Sequence, residues 1–174
     1  MRVQVLVAAM NQYNHSLLEK MHIQSDVIVG NQCDFNGIEH FEYKGYSATY
    51  LNFEERGVGL NRNNTLMRAT GDICLFADDD MVYENYPELI EKAFLDYPDA
   101  DIIAFNLVEK IPTRYIIKKA KRIRFYNFLT YGTARIAVRL SKVRENGISF
   151  NLCFGGGTEH CHGEDNIFIA DCLK

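Results

Sequence analysis

The sequence lacks the features that mark membrane, secreted and disordered chains. No apolar run reaches the roughly 20 residues that a bilayer-spanning helix needs. The N-terminal residues also lack the long apolar region and small-residue cleavage site of a signal peptide. Charged residues make up 24% and hydrophobic residues 47% of the 174 positions, as in a folded domain. No linker, repeat or low-complexity segment divides the chain, so we expect one cytoplasmic domain over residues 1–174.

Paired cysteines are also missing. The five cysteines are irregularly spaced and include no Cys-x-x-Cys pair, which favours free thiols over a disulfide framework. A weaker alternative is a metal cluster near the C-terminus, although its spacing matches no known zinc pattern. The members of that cluster would be Cys153, His160, Cys161, His162 and Cys172.

Acidic residues are absent from one long segment, residues 110–144. All 23 acidic residues lie elsewhere, and the chain has a net charge of −4. This uneven charge distribution predicts an anionic partner on one side of the molecule. We expect a phosphorylated or lipid-linked acceptor, or an anionic membrane surface. Nucleic acid is disfavoured because the whole protein is acidic. The eleven basic residues of the segment are Lys110, Arg114, Lys118, Lys119, Lys121, Arg122, Arg124, Arg135, Arg139, Lys142 and Arg144.

Apolar runs alternate with amphipathic segments along the first 107 residues. The runs predict strands and the intervening segments predict helices, with Gly71 as a left-handed cap after the second helix. Strands alternating with helices indicate an α/β domain with a mainly parallel central sheet. The predicted strands cover 3–9, 26–30, 49–53, 73–77 and 101–107, and the predicted helices cover 14–21, 59–69 and 86–97. Later in the chain, 122–130 and 134–139 have strand character and 141–146 has helix character.

Three adjacent carboxylates, Asp78, Asp79 and Asp80, follow the predicted strand at 73–77. Like charges repel, and a divalent cation, or a cation that holds a phosphate, would remove that cost. An acidic turn is the alternative, since Asp is common in turns. In open parallel sheets, however, ligands bind beyond the carboxyl ends of the strands. The position of the triplet therefore favours a functional site.

A second acidic pair, Glu164-Asp165, follows a glycine-rich loop and precedes a predicted helix. Acids at a helix N-terminus complement the helix dipole, which is the simpler interpretation. The functional interpretation is a general base at the edge of a cleft. Arg62, on the predicted helix before the triplet, could pair with a carboxylate or a phosphate. Without further evidence, a solvated helix face is the simpler interpretation of Arg62.

Two nucleotide-binding signatures are missing. The loop Gly155-Gly156-Gly157 lacks the Lys and Ser/Thr spacing of a P-loop, and no G-x-G-x-x-G follows the first strand. Nucleoside kinases and ordinary dinucleotide-binding enzymes are therefore disfavoured. The loop itself has the composition of a flexible segment.

The order of these motifs resembles a family 2 glycosyltransferase of the GT-A fold. In that family, a helix carrying an Arg-Asn pair leads through a glycine into a strand that ends in Asp-x-Asp. The stretches that carry the resemblance are 59–63, 69–73 and 76–80, together with Glu164-Asp165 and the opening strand 5–11. The resemblance implies a Rossmann-like three-layer sandwich. The chain departs from the family pattern at two places, since Ala8 stands where a proline is usual and Asn31-Gln32 stand where an acidic residue is usual.

The resemblance implies inverting transfer from a UDP-sugar to the hydroxyl of a glycan or lipid-linked acceptor, in the synthesis of a cell-surface polysaccharide or another glycan. The basic segment 110–144 lies where the family builds its acceptor region, so we expect it to face that acceptor or the inner face of the membrane. The resemblance also implies Asp165 as the catalytic base with Glu164 beside it, and Mn²⁺ or Mg²⁺ held by Asp78 and Asp80. From the residues alone, one of the two histidines just before Glu164 could complete the metal shell, and His162 is the candidate. Family members usually continue with further helices after the base, so we expect a catalytic domain that is truncated at its C-terminus. The implied donor-binding residues are Ala8, Asn11, Asn31, Gln32, Arg62, Asp78 and Asp79.

Two functions from other classes stay open. A nucleotidyltransferase also uses paired Asp residues and a metal, but it usually opens with a glycine-rich loop containing a basic residue, which residues 8–11 do not provide. A catalytically silent binding module with the same fold would bind nucleotide without turnover.

Overall fold

A computed structural model of the chain describes residues 1–109 and 115–174. Within those ranges, one sheet contains seven strands in the order β3-β4-β2-β1-β5-β7-β6. The strands are β1 (Val3–Met10), β2 (Asp26–Gln32), β3 (Gly37–Tyr43), β4 (Tyr46–Phe53), β5 (Ile73–Asp78), β6 (Ile102–Ala104) and β7 (Ile136–Arg139). The central strands β4, β2, β1 and β5 are parallel. The outer strands pair antiparallel with their neighbours.

Helices cover both faces of the sheet. They are α1 (Ser16–Lys20), α2 (Val58–Arg68), α3 (Tyr86–Asp96), α4 (Leu140–Glu145) and α5 (Glu164–Asp171). Leu18 of α1 and Phe94 of α3 pack into the core on one face. Leu66 of α2, Val143 of α4 and Phe168 of α5 pack into the core on the other. The molecule is therefore the expected three-layer α/β sandwich, with a sheet that is parallel in its centre and antiparallel at both sides.

The parallel strands end at a common edge of the sheet. Ala8 near the end of β1 pairs with Asp78 at the end of β5, and Met10 pairs with Gln32 at the end of β2. Parallel strands expose their carboxyl ends together, so the residues that follow them collect at this edge. The edge carries the acid triplet.

Strand β3 is missing from the sequence-based prediction. It is an edge strand with mostly exposed side chains, and Glu39, His40 and Glu42 interrupt any apolar pattern. The β3–β4 hairpin closes through Lys44 and Gly45, which have φ angles of 51° and 86°. Two successive left-handed residues suit the tight turns that match the twist of paired strands. Turn geometry therefore identifies this hairpin better than hydrophobicity does.

The strand predicted at 122–130 is wrong. The structure has a 3₁₀ turn at Phe128–Thr130 and no strand in this described stretch. The aromatic side chains of this stretch are not buried, since Phe125 is 59% and Tyr126 is 83% exposed. The strands predicted at 101–107 and 134–139 shorten to β6 and β7. Lys110 and Arg114 of the basic segment lie outside the described residues.

Gly71 does not form the predicted left-handed cap. Helix α2 ends at Arg68, and the next residue, Ala69, is extended, with φ −58° and ψ 146°. Gly71 is instead needed for close packing, because a Cβ there would lie 2.7 Å from Cβ of Gln4. The Oε1 atom of Gln4 accepts hydrogen bonds from the backbone N–H groups of Thr70 and Gly71. The turn before β5 is thereby fixed against β1.

Candidate active site

The three acids of the triplet have different environments. Asp78 is the last residue of β5 and is partly buried, whereas Asp80 is exposed. Between them, Oδ2 of Asp79 accepts a hydrogen bond from the backbone N–H of Met10 at 3.2 Å. Asp79 therefore connects the triplet to the end of β1. Asp78 and Asp80 are the acids of the predicted Asp-x-Asp pair.

Arg62 connects the triplet to the second acidic motif. Its Nη2 donates to Oδ1 of Asp78 at 3.1 Å, and its Nη1 donates to Oε1 of Glu164 at 3.2 Å and to Oδ1 of Asp165 at 2.7 Å. Arg62 is only 5% exposed. The solvated-face interpretation of Arg62 is therefore wrong, and its pairing with carboxylates is the correct alternative. We call Arg62, Asp78, Glu164 and Asp165 the arginine–carboxylate cluster.

The arginine–carboxylate cluster carries excess negative charge, because one guanidinium faces three carboxylates. Burial raises the pKa of the Asp78 carboxyl, while the charge and hydrogen bond of Arg62 oppose that rise. The neighbouring charges of Asp165 and Asp80 raise this pKa further. The cluster is therefore suited to a cationic ligand, or to an anionic ligand that arrives with its own cation.

An aromatic floor supports Arg62. Its guanidinium lies 5.5 Å from the ring centroid of Phe150, which stacks on Phe168 at 4.2 Å. Phe76 of β5 meets both rings edge-on. The neighbour Asn63 exchanges two hydrogen bonds of 2.8 Å with the backbone of Phe150. The Arg-Asn pair thus has two separate tasks, since Arg62 binds the acids and Asn63 fixes the floor.

The glycine-rich loop positions Glu164. Gly155 has a φ of 102°, and a Cβ there would lie 2.8 Å from Cδ of Glu164. The loop is anchored by backbone hydrogen bonds, from the N–H of Gly155 to His160 at 2.7 Å and from the N–H of Val58 to Gly156 at 2.9 Å. Its composition predicts flexibility, but the structure ties it to the first residue of α2. This attachment brings the start of α5 next to Arg62.

Asp165 has a further partner that the sequence does not predict. The hydroxyl of Thr133, a fully buried residue, donates a hydrogen bond to Oδ1 of Asp165. Thr133 begins a 3₁₀ turn, Thr133–Arg135, just before β7. In the sequence it is an isolated threonine in the basic segment, and no motif distinguishes it. Only the tertiary structure brings Thr133 to the second acidic motif.

The predicted donor-binding residues next to the triplet have varied roles. Asn31 is fully buried, its Oδ1 accepts from the backbone of Gln12, and its Nδ2 donates to Gln12 and to Asn52. Both amide hydrogens of Asn31 are used inside the protein, so it fixes the loop after β1. Oε1 of Gln32 accepts from the backbone of Gly57 at 2.7 Å. The roles of these amides in binding a donor stay predictions.

Asn11 and Ala8 lie at the same edge of the sheet. Asn11 is left-handed, with a φ of 52°, and its backbone N–H donates to the carbonyl of Gln32 at 3.0 Å. Asparagine tolerates this conformation better than most residues. The side chain of Asn11 is exposed. Their predicted contacts with the donor stay predictions too.

The donor set fits a divalent cation whose shell is completed by a substrate. Asp78 and Asp80 supply hard carboxylate oxygens, and Mg²⁺ is usually held by one or two carboxylates together with substrate phosphates. In the described ranges, no three His, Cys, Asp or Glu side chains are grouped to hold a metal without such help. The alternative Cys–His cluster is therefore not formed. His162 is exposed, and its role as a ligand stays a prediction.

Within the described part of the chain, no helix is both long and apolar enough to cross a membrane.

Several solved structures share this fold. A structure of S. aureus TarS residues 1–349 superposes with a TM-score of 0.71 and 18% identity, covering 99% of this chain and 55% of that one. The same TarS fragment in complex with UDP-GlcNAc gives a TM-score of 0.72 and 18% identity, with coverages of 99% and 53%. A longer TarS structure gives 0.71 and 19%, with coverages of 99% and 33%. The chain therefore has the predicted GT-A fold and spans about half of the length of the TarS fragment.

A family model adds sequence evidence to the shared fold. The model for glycosyl transferase family 2 matches residues 11–154, which include Arg62 and the acid triplet and end before Asp165. A sequence comparison with curated proteins gave no match. The matched range covers most of the chain, and it confirms the resemblance inferred from the order of the motifs. The chain belongs to glycosyl transferase family 2.

Proposed function

We propose that the protein is a metal-dependent, inverting glycosyltransferase that moves a sugar from a UDP-sugar to an acceptor hydroxyl in the synthesis of a cell-surface polysaccharide or another glycan. One observation carries the proposal. Arg62 brings Asp78 of the Asp-x-Asp pair and Asp165 of the Glu-Asp pair to one edge of the sheet. A site for sugar transfer needs a donor-binding group and a base within reach of each other, and this cluster supplies both.

The base in this proposal is Asp165. Its carboxylate takes the proton of the acceptor hydroxyl while the hydroxyl oxygen attacks the anomeric carbon. The bond from that carbon to the diphosphate breaks on the opposite face, and the bonding electron pair leaves with the nucleoside diphosphate. One such displacement inverts the configuration. General-base assistance of this kind contributes about 10²–10⁴-fold in rate.

Asp78 and Asp80 hold the metal in this proposal. When bound, Mn²⁺ or Mg²⁺ offsets the negative charge that develops on the leaving diphosphate. The charge and hydrogen bond of Arg62 lower the pKa of Asp78, which burial raises, and so favour the ionised form of this carboxyl. Asp79 keeps the end of β1 next to the metal-binding acids through its bond to Met10. UDP is proposed as the nucleotide because the TarS fragment has been solved with UDP and with UDP-GlcNAc.

The acceptor side of the proposal rests on the exposed part of the basic segment. Arg135, Arg139 and Arg144 donate to backbone carbonyl groups and serve the fold. Lys142 is exposed but pairs with Glu145. The other exposed basic residues in the described part of the segment, apart from Arg144, are Lys118, Lys119, Lys121, Arg122 and Arg124. They precede the exposed rings of Phe125 and Tyr126. We propose that residues 118–126 face an anionic, lipid-linked acceptor at the inner face of the membrane, since basic residues near anionic lipid each contribute about 1 kcal/mol.

Liposome flotation tests the acceptor side. The protein should float with vesicles that contain anionic lipid and stay behind with neutral vesicles, and replacing Lys118, Lys119 and Arg122 by Ser should abolish the difference. As a matched control, replacing Lys20, Lys92 and Lys174 by Ser removes the same charge elsewhere on the surface. Equal and negligible binding to both vesicle types would eliminate the membrane part of the proposal.

A panel of nucleotide sugars with Mn²⁺ tests the donor side. UDP-sugars should raise the melting temperature in the presence of Mn²⁺ but not of EDTA, and one of them should be hydrolysed slowly to UDP and free sugar. Release of diphosphate from a nucleoside triphosphate and a sugar phosphate would favour the nucleotidyltransferase instead. Metal-dependent binding of UDP-sugars without turnover of any of them, with or without acceptor, would favour the silent binding module.

A further inference from the structure

The two carboxylate oxygens of Asp165 have different surroundings. Oδ1 accepts two hydrogen bonds, one from Nη1 of Arg62 at 2.7 Å and one from the hydroxyl of Thr133. Oδ2 faces Gly132, where an added Cβ would lie 3.3 Å away. The hydrogen bonds that described side chains make to this carboxylate all end at Oδ1. One oxygen is therefore fixed by the protein, and the other faces a position where the chain has no side chain.

We propose that Oδ2 of Asp165 is the atom that takes the acceptor proton, and that Thr133 is a positioning residue that fixes this oxygen. The inference rests on the function proposed above. A carboxylate oxygen that already accepts two strong donors is a poorer proton acceptor than its free partner, because charge-assisted hydrogen bonds stabilise its negative charge. The acceptor hydroxyl therefore approaches Asp165 beside Gly132. Its proton moves to Oδ2 as its oxygen bonds to the anomeric carbon and the nucleoside diphosphate leaves with the electron pair of the broken bond.

Thr133 is well suited to a positioning role because its own place is fixed. It is fully buried, and the turn that it begins contains Arg135, which is 2% exposed. The guanidinium of Arg135 donates to the carbonyls of Phe105 and Tyr115 and to the side chain of Asn106. This turn is therefore anchored to the chain on either side of the undescribed residues 110–114. A fixed donor can orient a carboxylate without a large entropic cost when the acceptor binds.

The same turn links the base to the acceptor side. Tyr115, whose carbonyl accepts a hydrogen bond from Arg135, precedes the exposed basic and aromatic residues 118–126 in the chain. Gly132 follows those residues in the chain and lies next to Oδ2 of Asp165. An acceptor held by residues 118–126 would therefore present its hydroxyl to Oδ2 beside Gly132. The glycine is needed there for space and not for conformation, because its φ is −104°.

Two substitutions at position 133 test the assignment with UDP-GlcNAc, Mn²⁺ and water as the acceptor. Thr133→Val keeps the shape but removes the donor, and we expect kcat for UDP release to fall by roughly 10- to 100-fold, the effect of losing a hydrogen bond to a charged group. The KM for UDP-GlcNAc should stay unchanged. Thr133→Ser keeps the hydroxyl and should restore most of kcat.

A second variant tests the approach beside Gly132. Gly132→Ala adds a methyl group next to Oδ2 in an allowed backbone conformation, and we expect a lower kcat with an unchanged KM for UDP-GlcNAc. Gly37→Ala is the matched control, because its methyl group would meet only the ring of Phe35 at 3.9 Å. Melting temperatures of all variants separate a loss of folding from a loss of rate.

The outcomes distinguish this inference from the proposed function. If the wild type turns over UDP-GlcNAc, two results would overturn the positioning role of Thr133. One is a Thr133→Val variant with unimpaired kcat, and the other is a Thr133→Ser variant as defective as Thr133→Val. A Gly132→Ala variant with wild-type kcat would overturn the assignment of Oδ2. If the wild-type protein bound UDP-GlcNAc but never released UDP, the proposed function would fail and the assignment would fail with it.

Discussion

The two acidic motifs reach the same site by different structural routes. Asp78 ends β5, where the register with β1 fixes its position opposite Ala8. Asp165 lies in the first turn of α5, after an irregular stretch, and its place depends on Arg62, on Thr133 and on the glycine-rich loop. The strand-borne motif is thus held by sheet hydrogen bonds, whereas the helix-borne motif is held by side chains. Substitutions of those side chains should displace the base while the Asp-x-Asp pair stays in place.

Loss of Arg62 should have the largest effect, since it leaves three carboxylates without their common partner. Removing one member of a buried ion pair costs about 3–5 kcal/mol, and we expect Arg62→Ala to lower the free energy of unfolding by an amount in that range. Urea denaturation measures it. Arg68→Ala on the same helix is the control, because Arg68 is exposed and, among the described residues, hydrogen-bonds only to Asn64. If Arg62→Ala were as stable as this control, the cluster would not hold the two motifs together.

Gly155→Ala should have an intermediate effect that is confined to the helix-borne motif. The φ of 102° is strained for alanine, at about 1–3 kcal/mol, and the added methyl group would push against Glu164. We expect lower stability and slower UDP release, with Mn²⁺-dependent UDP binding retained. Gly156→Ala serves as the matched control, since a Cβ there has open space around it. Equal stability of the two variants would show that the loop does not position Glu164.

The pH dependence of the metal-free protein should show the smallest effect. Burial raises the pKa of Asp78 in the folded state. Because this pKa is higher in the folded than in the unfolded state, Asp78 contributes its full stabilisation below the ordinary pKa of an Asp. That stabilisation is lost as the pH rises through the folded-state pKa. We therefore expect Asp78→Asn to become more stable relative to the wild type as the pH rises through that window. Urea denaturation in EDTA measures this, and a difference that shrinks with rising pH would contradict it.

The regular part of the fold is largely predictable from the sequence. Buried parallel strands appear as continuous apolar runs, so β1, β2 and β5 are identified within one or two residues. The family order of motifs then predicts Asp78, Asp80 and Asp165. The edge strand β3 is not predicted because its exposed face is polar. A strand is wrongly predicted at 122–130 because exposed aromatic residues such as Phe125 give the pattern of a buried strand.

The contacts that assemble the site are less predictable. The sequence alone favours a solvated helix face for Arg62 over an ion-pair partner, because it does not show which way the side chain of a helix points. No sequence motif marks Thr133 as a site residue, since its contact with Asp165 depends on the turn that brings the two residues together. The resemblance implies Asn31 as a donor contact, but its hydrogen bonds to Gln12 and Asn52 depend on neighbours that only the fold brings together.

One assay with three proteins tests the central claim, which is that the strand-borne acids bind the donor with its metal and the helix-borne acid takes the proton. Wild type, Asp165→Asn and Asp80→Asn are compared for Mn²⁺-dependent UDP affinity and for the rate of UDP release from a UDP-sugar. We predict that Asp165→Asn binds UDP as the wild type does but loses about 10²–10⁴-fold in rate, and that Asp80→Asn loses the Mn²⁺-dependent affinity. Wild-type rates from Asp165→Asn, or unchanged Mn²⁺-dependent affinity in Asp80→Asn, would contradict the account.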